Sequence, residues 1–441
     1  MSNTSKEPVL EADRFTQERL DALVSLHERY LKERIGGKRA HLKNADLSDL
    51  SLRGADLTKL DFTNVKMQRM DLTDTNFQEG SLYACDLSFS TLNGAIFART
   101  DLRGSRIEGA DMNNADLKEA DLREGGVFAH DKDTGISTPV NFSGANLTGA
   151  RLSGCLANKA DFSDAILANA RIDNADFRGA SLEGADLTGA EIEGIKLSGA
   201  KLNHAIFADV DLSKVLGTEG VDLTRALTSE NMGKSVNDLT DSLDNLIEKH
   251  RLWVSTSGQQ GLQLDVSDVD MRELETLKMQ KLTALRGKNV KFFGMNLYKV
   301  ELQSTQLEKA DFRRCDMEEA DVRGSNLEGA RFHHANLKGA NFSSLLIGAG
   351  SRQKFAPCIL DGASFRYADL SEANLRNASL IGADLSYCNL EGADLSGADL
   401  SNAKMDMTRL DGAMMKDAKT EKTQQGRAFS ITRLKESNDD D

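Results

Sequence analysis

The feature that most constrains this chain is a period of five. Every fifth residue from Leu42 through Leu47, Phe62, Phe77 and Phe97 to Leu122 is Leu, Ile, Met or Phe, without a slip. The frame resumes at Phe142 and holds to Leu212, with Ala157 as the one departure, so residues 123–141 insert a multiple of five. A second array runs from Leu277 through Leu282, Phe292 and Leu297 to Phe342, and a shifted frame carries Leu360, Phe365 and Leu370 on to Met415. Helices repeat at about 3.6 residues and strands at 2, so neither gives this period. Sustained tandem regularity marks a repeat architecture, which grows as one object to any length, and the 441 residues therefore do not count domains.

The units themselves are seen undisguised as ADLTG from Ala185, ANLKG from Ala335, ADLSG from Ala393 and ADLSN from Ala398. They resemble the pentapeptide-repeat family, whose unit is A(D/N)LXX, over roughly residues 40–215 and 262–417. The resemblance implies an all-β solenoid, a right-handed quadrilateral parallel β-helix with one pentapeptide per side and four per coil. The central Leu or Phe and the small residue two positions before it then point inward. Residues 20 apart would stack at the strand spacing of about 4.8 Å, with Phe77 over Phe97 and Phe142 near Phe162. The expected structural core includes Leu47, Leu57, Phe62, Phe77, Phe97, Phe142, Phe162, Leu187, Phe312, Leu327, Leu395 and Leu400. Cys85, Cys155, Cys315, Cys358 and Cys388 each fall two positions before a central site, where Ala is usual. They lack any C-x-x-C spacing and read as small buried hydrophobes, reduced as in a cytoplasm.

Ahead of the first array, Leu20, Leu23, Val24, His27, Tyr30 and Leu31 have the spacing of one helical face; Leu243, Leu246, Ile247, His250, Trp253 and Val254 repeat it at a constant offset. A turn follows each, IGG or SGQQG. The chain thus reads as two copies of one plan: helix, turn, β-helix. An open β-helix end exposes apolar cross-section and unpaired backbone, so the helices are the expected covers, with Leu23, His27, Tyr30, Leu246, His250 and Trp253 as cap residues. The expected boundaries are a flexible N-terminus at 1–18, a capping helix and turn at 19–37 and a first β-helix at 38–216 with an inserted loop at 123–141. A helical joint and second capping helix occupy 217–261, a second β-helix with an inserted loop at 343–358 runs over 262–417, and a polar tail fills 418–441. Both inserts end with a proline, Pro139 or Pro357, which cannot donate to a strand ladder.

A catalytic reading finds no support: there is no phosphate-binding glycine loop, G-x-S-x-G, H-E-x-x-H or EF-hand spacing. No cofactor and no metal site is expected, the adjacent His333 and His334 included. The run Arg313, Arg314, Asp316, Glu318, Glu319, Asp321 and Arg323 alternates in sign and reads as a mutually paired, solvated face. The formal charge of −14, from 69 acids and 55 bases, disfavours nonspecific nucleic-acid binding. No apolar run is long enough to span a bilayer, and the N-terminus lacks a secretory pattern. The expectation is a bacterial, cytoplasmic, non-enzymatic scaffold that binds an unknown protein partner and is compatible with a homodimer, without direct nucleic-acid binding. The resemblance supplies an alternative, since some family members are dimeric acidic rods that mimic DNA, bind DNA gyrase and relieve topoisomerase poisons. Basic residues such as Lys43, Lys66, Arg69, Arg103, Arg106, Arg171, Arg313, Arg331 and Arg376 interrupt the acidic surface that such mimicry needs. In the tail, Phe429, Ile431 and Leu434 form a short apolar island and a candidate partner-binding peptide.

Overall fold

A computed structural model describes residues 13–129, 132–216, 220–274, 276–348 and 353–420. The chain divides into two compact units, Met1–Asn231 and Met232–Asp441. In both, the unit of construction is a parallel bridge between residues 20 apart, as in Asp71↔Thr91, Asp111 after Thr91, or Asp311↔Arg331. Four fives make one turn of the ladder, so the five-residue period is one side of a coil.

One side, Asp71 to Thr75, accounts for the motif. Asp71 N–H donates to Leu50 O at 3.1 Å in the coil before, and Leu72 N–H to Thr91 O at 2.8 Å in the coil after. Asp74, left-handed at φ 55°, donates to Asn93 O at 2.9 Å, and Thr75 N–H closes the corner on Leu72 O at 3.2 Å. That leaves Thr73 N–H, and the Asp71 carboxylate accepts it at 3.2 Å. All five donors are used, as an ordered backbone requires. The Asp or Asn of the repeat is therefore more than an outward polar residue: its side chain holds the amide two residues on, as Asp86 does for Ser88 and Asn146 for Thr148.

The interior follows from the alternation of sides. Leu47, Leu57, Phe62, Phe77, Phe97, Phe142, Phe162, Leu187, Phe312, Leu327, Leu395 and Leu400 are all buried, mostly with Ala, Ser or Thr two positions before them, although Leu60 precedes Phe62 and Val140 precedes Phe142. Several of the small residues that carry a hydroxyl donate it to a carbonyl of the coil before, Thr75 to Leu52 O at 2.8 Å, Ser90 to Met67 O at 2.7 Å and Thr408 to Leu385 O at 2.8 Å, while Thr305 donates to Leu302 O of its own side at 2.9 Å. Rings stack at coil spacing, Phe77–Phe97 at 5.0 Å and Phe142–Phe162 at 4.8 Å between centroids. The second unit carries a longer ladder, Phe292–Phe312 at 5.1 Å, Phe312–Phe332 at 5.0 Å and Phe332–Phe365 at 4.7 Å.

In the first unit order begins earlier than the sequence suggests. Asp13–Arg14 pairs with Ala45–Asp46, Phe15 is buried, and helix α1 spans Gln17–Leu31, with the Thr16 hydroxyl accepting from Arg19 N–H as N-cap. Residues 13–18 are thus tied down by backbone pairing and capping, in place of the flexible segment expected there. Residues 123–141 do not form a simple loop: Gly125–Ala129 and Lys132–Thr138 pair as an antiparallel hairpin, which satisfies its own backbone. Pro139 ends the second strand, and the ladder resumes with Arg106↔Asn141, a step of 35. The first unit also runs past residue 216, where Ile206–Phe207 pairs with Leu227–Thr228.

The expected helical joint proves mostly irregular. Short bridges and a 3-10 turn at Val236–Asp238 precede α2, Leu243–Ser255, which starts at its N-cap Ser242. The ladder of the second unit begins before Leu277, since Lys234–Ser235 pairs with Val269–Asp270 and Val266 and Met271 are buried central residues. One extra residue between Met271 and Leu277 hides this start from a strict count of five: Asp270 bridges Lys291, 21 residues on. The second insert is again a hairpin, Leu345–Ile347 with Lys354–Ala356, ahead of Pro357, and Asn326↔Ile359 restores the ladder after 33 residues. Among the described residues the last rung is Asp399↔Lys419.

Candidate functional site

Three places depart from the plain wall: the helix ends, the buried thiols and one charged side of the second unit. At the first, α1 buries Leu20 and His27. His27 Nδ1 accepts from Ala40 N–H at 2.8 Å, so the ring proton sits on Nε2 and is donated to Thr58 O at 3.0 Å. In α2 the same device recurs, with His250 Nδ1 accepting from Leu264 N–H and Nε2 donating to Thr283 O, both at 3.0 Å. Each ring stacks on an aromatic residue three positions on, Tyr30 at 5.7 Å or Trp253 at 6.0 Å. Burial pushes the pKa of both histidines down. A second ring proton would face a backbone N–H, so the neutral imidazole is the form that fits.

The remaining members of the two helical faces sit less deeply. Leu246 and Ile247 are buried and Leu23 is half-buried, whereas Tyr30, at 40% exposed, and Val254 lie on the rim, one side of each against water. The glycine of each turn is required by close approach: a Cβ on Gly37 would lie 2.4 Å from Tyr30 N, and one on Gly261 2.2 Å from Lys249 O. The pair of helix-turn units therefore shares a histidine, an aromatic partner and a glycine that lets the chain turn back against the helix.

All five cysteines are buried and free. Burial pushes the Cys85 and Cys358 thiols up to about 12 and the other three further, which suits packing and opposes nucleophilic or redox chemistry. Among the described residues no group of His, Cys, Asp and Glu is arranged to hold a metal ion. No described helix is long and apolar enough to cross a membrane. Phe429, Ile431 and Leu434 lie outside the described residues.

The outer wall is dressed with one recurring ion pair, in which an Arg two residues after an Asp folds back on it. Arg103–Asp101 at 2.8 Å, Arg123–Asp121 at 2.7 Å, Arg178–Asp176 at 2.6 Å and Arg323–Asp321 at 2.6 Å are examples. The Arg178 guanidinium lowers the Asp176 pKa to about 2. Arg313–Asp311, also at 2.6 Å, has the same geometry but not the same setting, its side chains being 3% and 1% exposed. The solvated face expected around Arg313 is thus corrected: Arg323 is in water, Arg313 is covered. Burial would raise the Asp311 pKa, but Arg313, Arg331 and Lys291 together hold it well below the usual carboxylate range. Burial in turn lowers the pKa values of Lys291 and Arg331. Beside them His334, Tyr367 and Tyr387 stack along the corner at 5.2 and 4.9 Å, with Arg366 over both tyrosine rings.

Comparison with known proteins places this geometry. The family model described as pentapeptide repeats matches residues 40–78, 81–123, 141–179, 180–216, 305–343, 358–397 and 393–419, more than half of the chain. Among solved structures, a trypsin-treated form of QnrB1, a plasmid-mediated fluoroquinolone resistance protein, is 18% identical over 48% of this chain and 95% of its own, with a TM-score of 0.26. HetL, a pentapeptide repeat protein involved in heterocyst differentiation regulation in the cyanobacterium Nostoc sp. strain PCC 7120, is 20% identical over 89% of this chain and 92% of its own, with a TM-score of 0.11. A search of curated proteins finds no match. The tandem fives, the 20-residue ladder and the matched segments lead to one statement: this chain belongs to the pentapeptide repeat family, whose members adopt a right-handed quadrilateral β-helix.

Proposed function

We propose that the chain is a non-enzymatic interaction scaffold, built as two copies of a helix-closed pentapeptide β-helix, whose outer sides and hairpins receive a protein partner. The observation that carries this reading is the use of the interior. It is filled with Leu, Phe, Ala and Cys, and its hydroxyls are spent on backbone carbonyls, so chemistry-bearing groups are left to the outer wall. Helices α1 and α2 serve as covers because their buried histidines bond backbone of the adjoining coils, which would otherwise present open rungs. The second unit also breaks in a feature a partner can grip: Phe355 and Leu346 stand exposed on its hairpin.

Modulation of gyrase by DNA mimicry is the weaker reading, since the Arg–Asp pairs neutralise the wall that would have to imitate phosphates. A supercoiling assay with and without quinolone separates the two. No effect at low micromolar protein is the expected result, and protection would favour mimicry. For the scaffold, affinity capture from the native host with wild type and Phe355→Asp tests the hairpin as a contact. A partner retained by the first and lost by the second is expected, and capture of no protein by either would contradict the reading.

A further inference from the structure

Each hairpin leaves its coil beside a glycine of the coil before, Gly104 or Gly324, yet only the first is built to keep other strands away. Its register shifts between Gly126 and Phe128, and Asp133 stands opposite Phe128 with Lys132 opposite Ala129. A bulge and charged residues are the usual means by which a short sheet resists pairing with further chain. The second hairpin pairs Leu345↔Ala356, Leu346↔Phe355 and Ile347↔Lys354 in unbroken register. It forms a sheet of two strands, so each has an edge without a neighbouring strand among the described residues. Residues 342–348 and 353–360 contain no Asp or Glu, in a chain that has 69, and Lys354 is their one charge.

Opposite residues share a face of a sheet, and neighbours along a strand alternate. Leu345 and Ala356 lie on the face turned to the coil: a Cβ on Gly324 would lie 2.7 Å from Leu345 Cβ and 3.4 Å from the Ala356 carbonyl oxygen. Leu346 and Phe355 take the other face, where they are 47% and 70% exposed. Among the phenylalanines whose side chains are described, Phe355 alone is exposed. By alternation Ile347 and Lys354 return to the inner face, and Lys354 has no ion-pair partner among the described residues. Lys354–Ala356 is the outer strand, since Lys354 and Phe355 are exposed whereas Leu345 and Ile347 are half-buried.

We propose that the edge of Lys354–Ala356 docks an extended peptide of a partner protein, added as a third strand, in which a carboxylate and an apolar side chain hold alternate positions. This rests on the scaffold reading above and names the partner's chemistry. An added strand supplies the backbone partners that an open edge lacks. Its residue beside Phe355 shares the bare outer face and is apolar, while its residue beside Lys354 shares the inner face and is acidic. Pro357 has no N–H to donate, so the pairing stops with Ala356. The single device that blunts this edge, Lys354, works against a basic strand and in favour of an acidic one. A lipid surface fits less well, because hydrocarbon leaves the N–H and C=O groups of an open edge without partners. In a second copy paired about Phe355, Lys354 would meet Ala356 and gain no counter-charge.

The test selects a displayed library of short random linear peptides on the full chain, with counter-selection on Phe355→Asp. Enriched peptides should alternate Asp or Glu with an apolar residue. One of them, followed by fluorescence anisotropy, should bind Lys354→Glu about tenfold more weakly, and its counterpart with Lys in place of the acids should regain that factor on the variant. N-methylation of every second backbone amide gives two forms of the peptide. The form whose methyl groups face the edge should bind about tenfold or more weakly, and the other should bind like the parent. Equal binding by the two forms would overturn strand addition, as would enriched peptides without the alternation or no enrichment at all. Self-association of the chain that Phe355→Asp abolishes would assign the edge to a second copy, and Phe355-dependent binding to phosphatidylserine vesicles would assign it to a lipid surface; either result overturns the proposal. Capture of a host protein that requires Phe355, with no such peptide recovered, would leave the scaffold reading standing and remove only the docking of an acidic strand.

Discussion

The two units build the same wall to different counts. In the first, the rungs step by 20 along most of the ladder, by 35 across the hairpin and by 21 at the end, where Ile206 pairs with Leu227. In the second, steps of 21 and 33 break the frame twice, yet the ladder of bridges continues and the rings from Phe292 to Phe365 stay stacked. The comparison teaches that coil register is held by contacts between coils, namely stacked side chains and paired backbone, and that the count of five is only their usual trace in sequence. A corner can absorb one residue or a whole hairpin provided the next side regains its place on the coil before.

Removing a stacked ring tests this most severely. Phe312→Ala empties a site between two rings and should cost about 4 kcal/mol, measured by urea unfolding with peptide-resolved hydrogen exchange. Phe77→Ala in the first unit removes a ring with one stacked neighbour and should cost about 1 kcal/mol less. Equal losses would mean that stacking does not set register. Acid should come next in effect. The lowered pKa values of His27 and His250 mean that below their ordinary 6.5 the unfolded chain binds protons that the folded chain refuses. Their contribution is complete above pH 6.5 and falls as pH drops, so α1 and α2 should lose exchange protection before the ladder does. The lowered carboxylates, with Arg178 at Asp176 and Ser401 at Asp399, contribute fully above about 3.8 and are lost only below it. Ladder loss at pH 6 with both helices still protected would reverse that order.

A smaller effect is expected at the repeat's polar position. Asp71→Ala removes the acceptor of Thr73 N–H and should cost about 1 kcal/mol, while Asp71→Asn should cost less than half of that because the amide oxygen still accepts. Smallest of all should be excision of residues 124–138, which returns the step across the insert to 20. An unfolding midpoint within about 0.5 kcal/mol of wild type is expected, as loop closure changes slowly with length. A large loss would show that the first hairpin sets register after all.

Much of this is legible in the sequence. Central residues such as Phe77 and Leu395 announce themselves because an inward side recurs at fixed spacing, and the aligned histidines and aromatics mark both helices. The role of Asp71 was not legible, since an outward carboxylate and one that accepts an amide two residues on look alike in sequence. The early start of the second ladder at Val266 was hidden by a single extra residue, and the hairpins were hidden because short strands that pair with each other carry no period. Arg313 was misread because its sequence neighbours alternate in sign, while its burial depends on residues 20 or more away. Such burial leaves no local pattern in sequence.

The proposed closure of one end of each β-helix by α1 or α2 turns on the bonds of His27 and His250 to the backbone of the adjoining coils. The direct measurement is peptide-resolved hydrogen exchange of His27→Ala and His250→Ala beside wild type at pH 7.5. Each substitution removes a donor and an acceptor from buried backbone partners and should lower local protection by about 3 kcal/mol. With His27→Ala the loss should appear in α1 and in the coil containing Ala40 and Thr58; with His250→Ala it should appear in α2 and in the coil containing Leu264 and Thr283. Wild-type protection of these coils in both variants would contradict the claim.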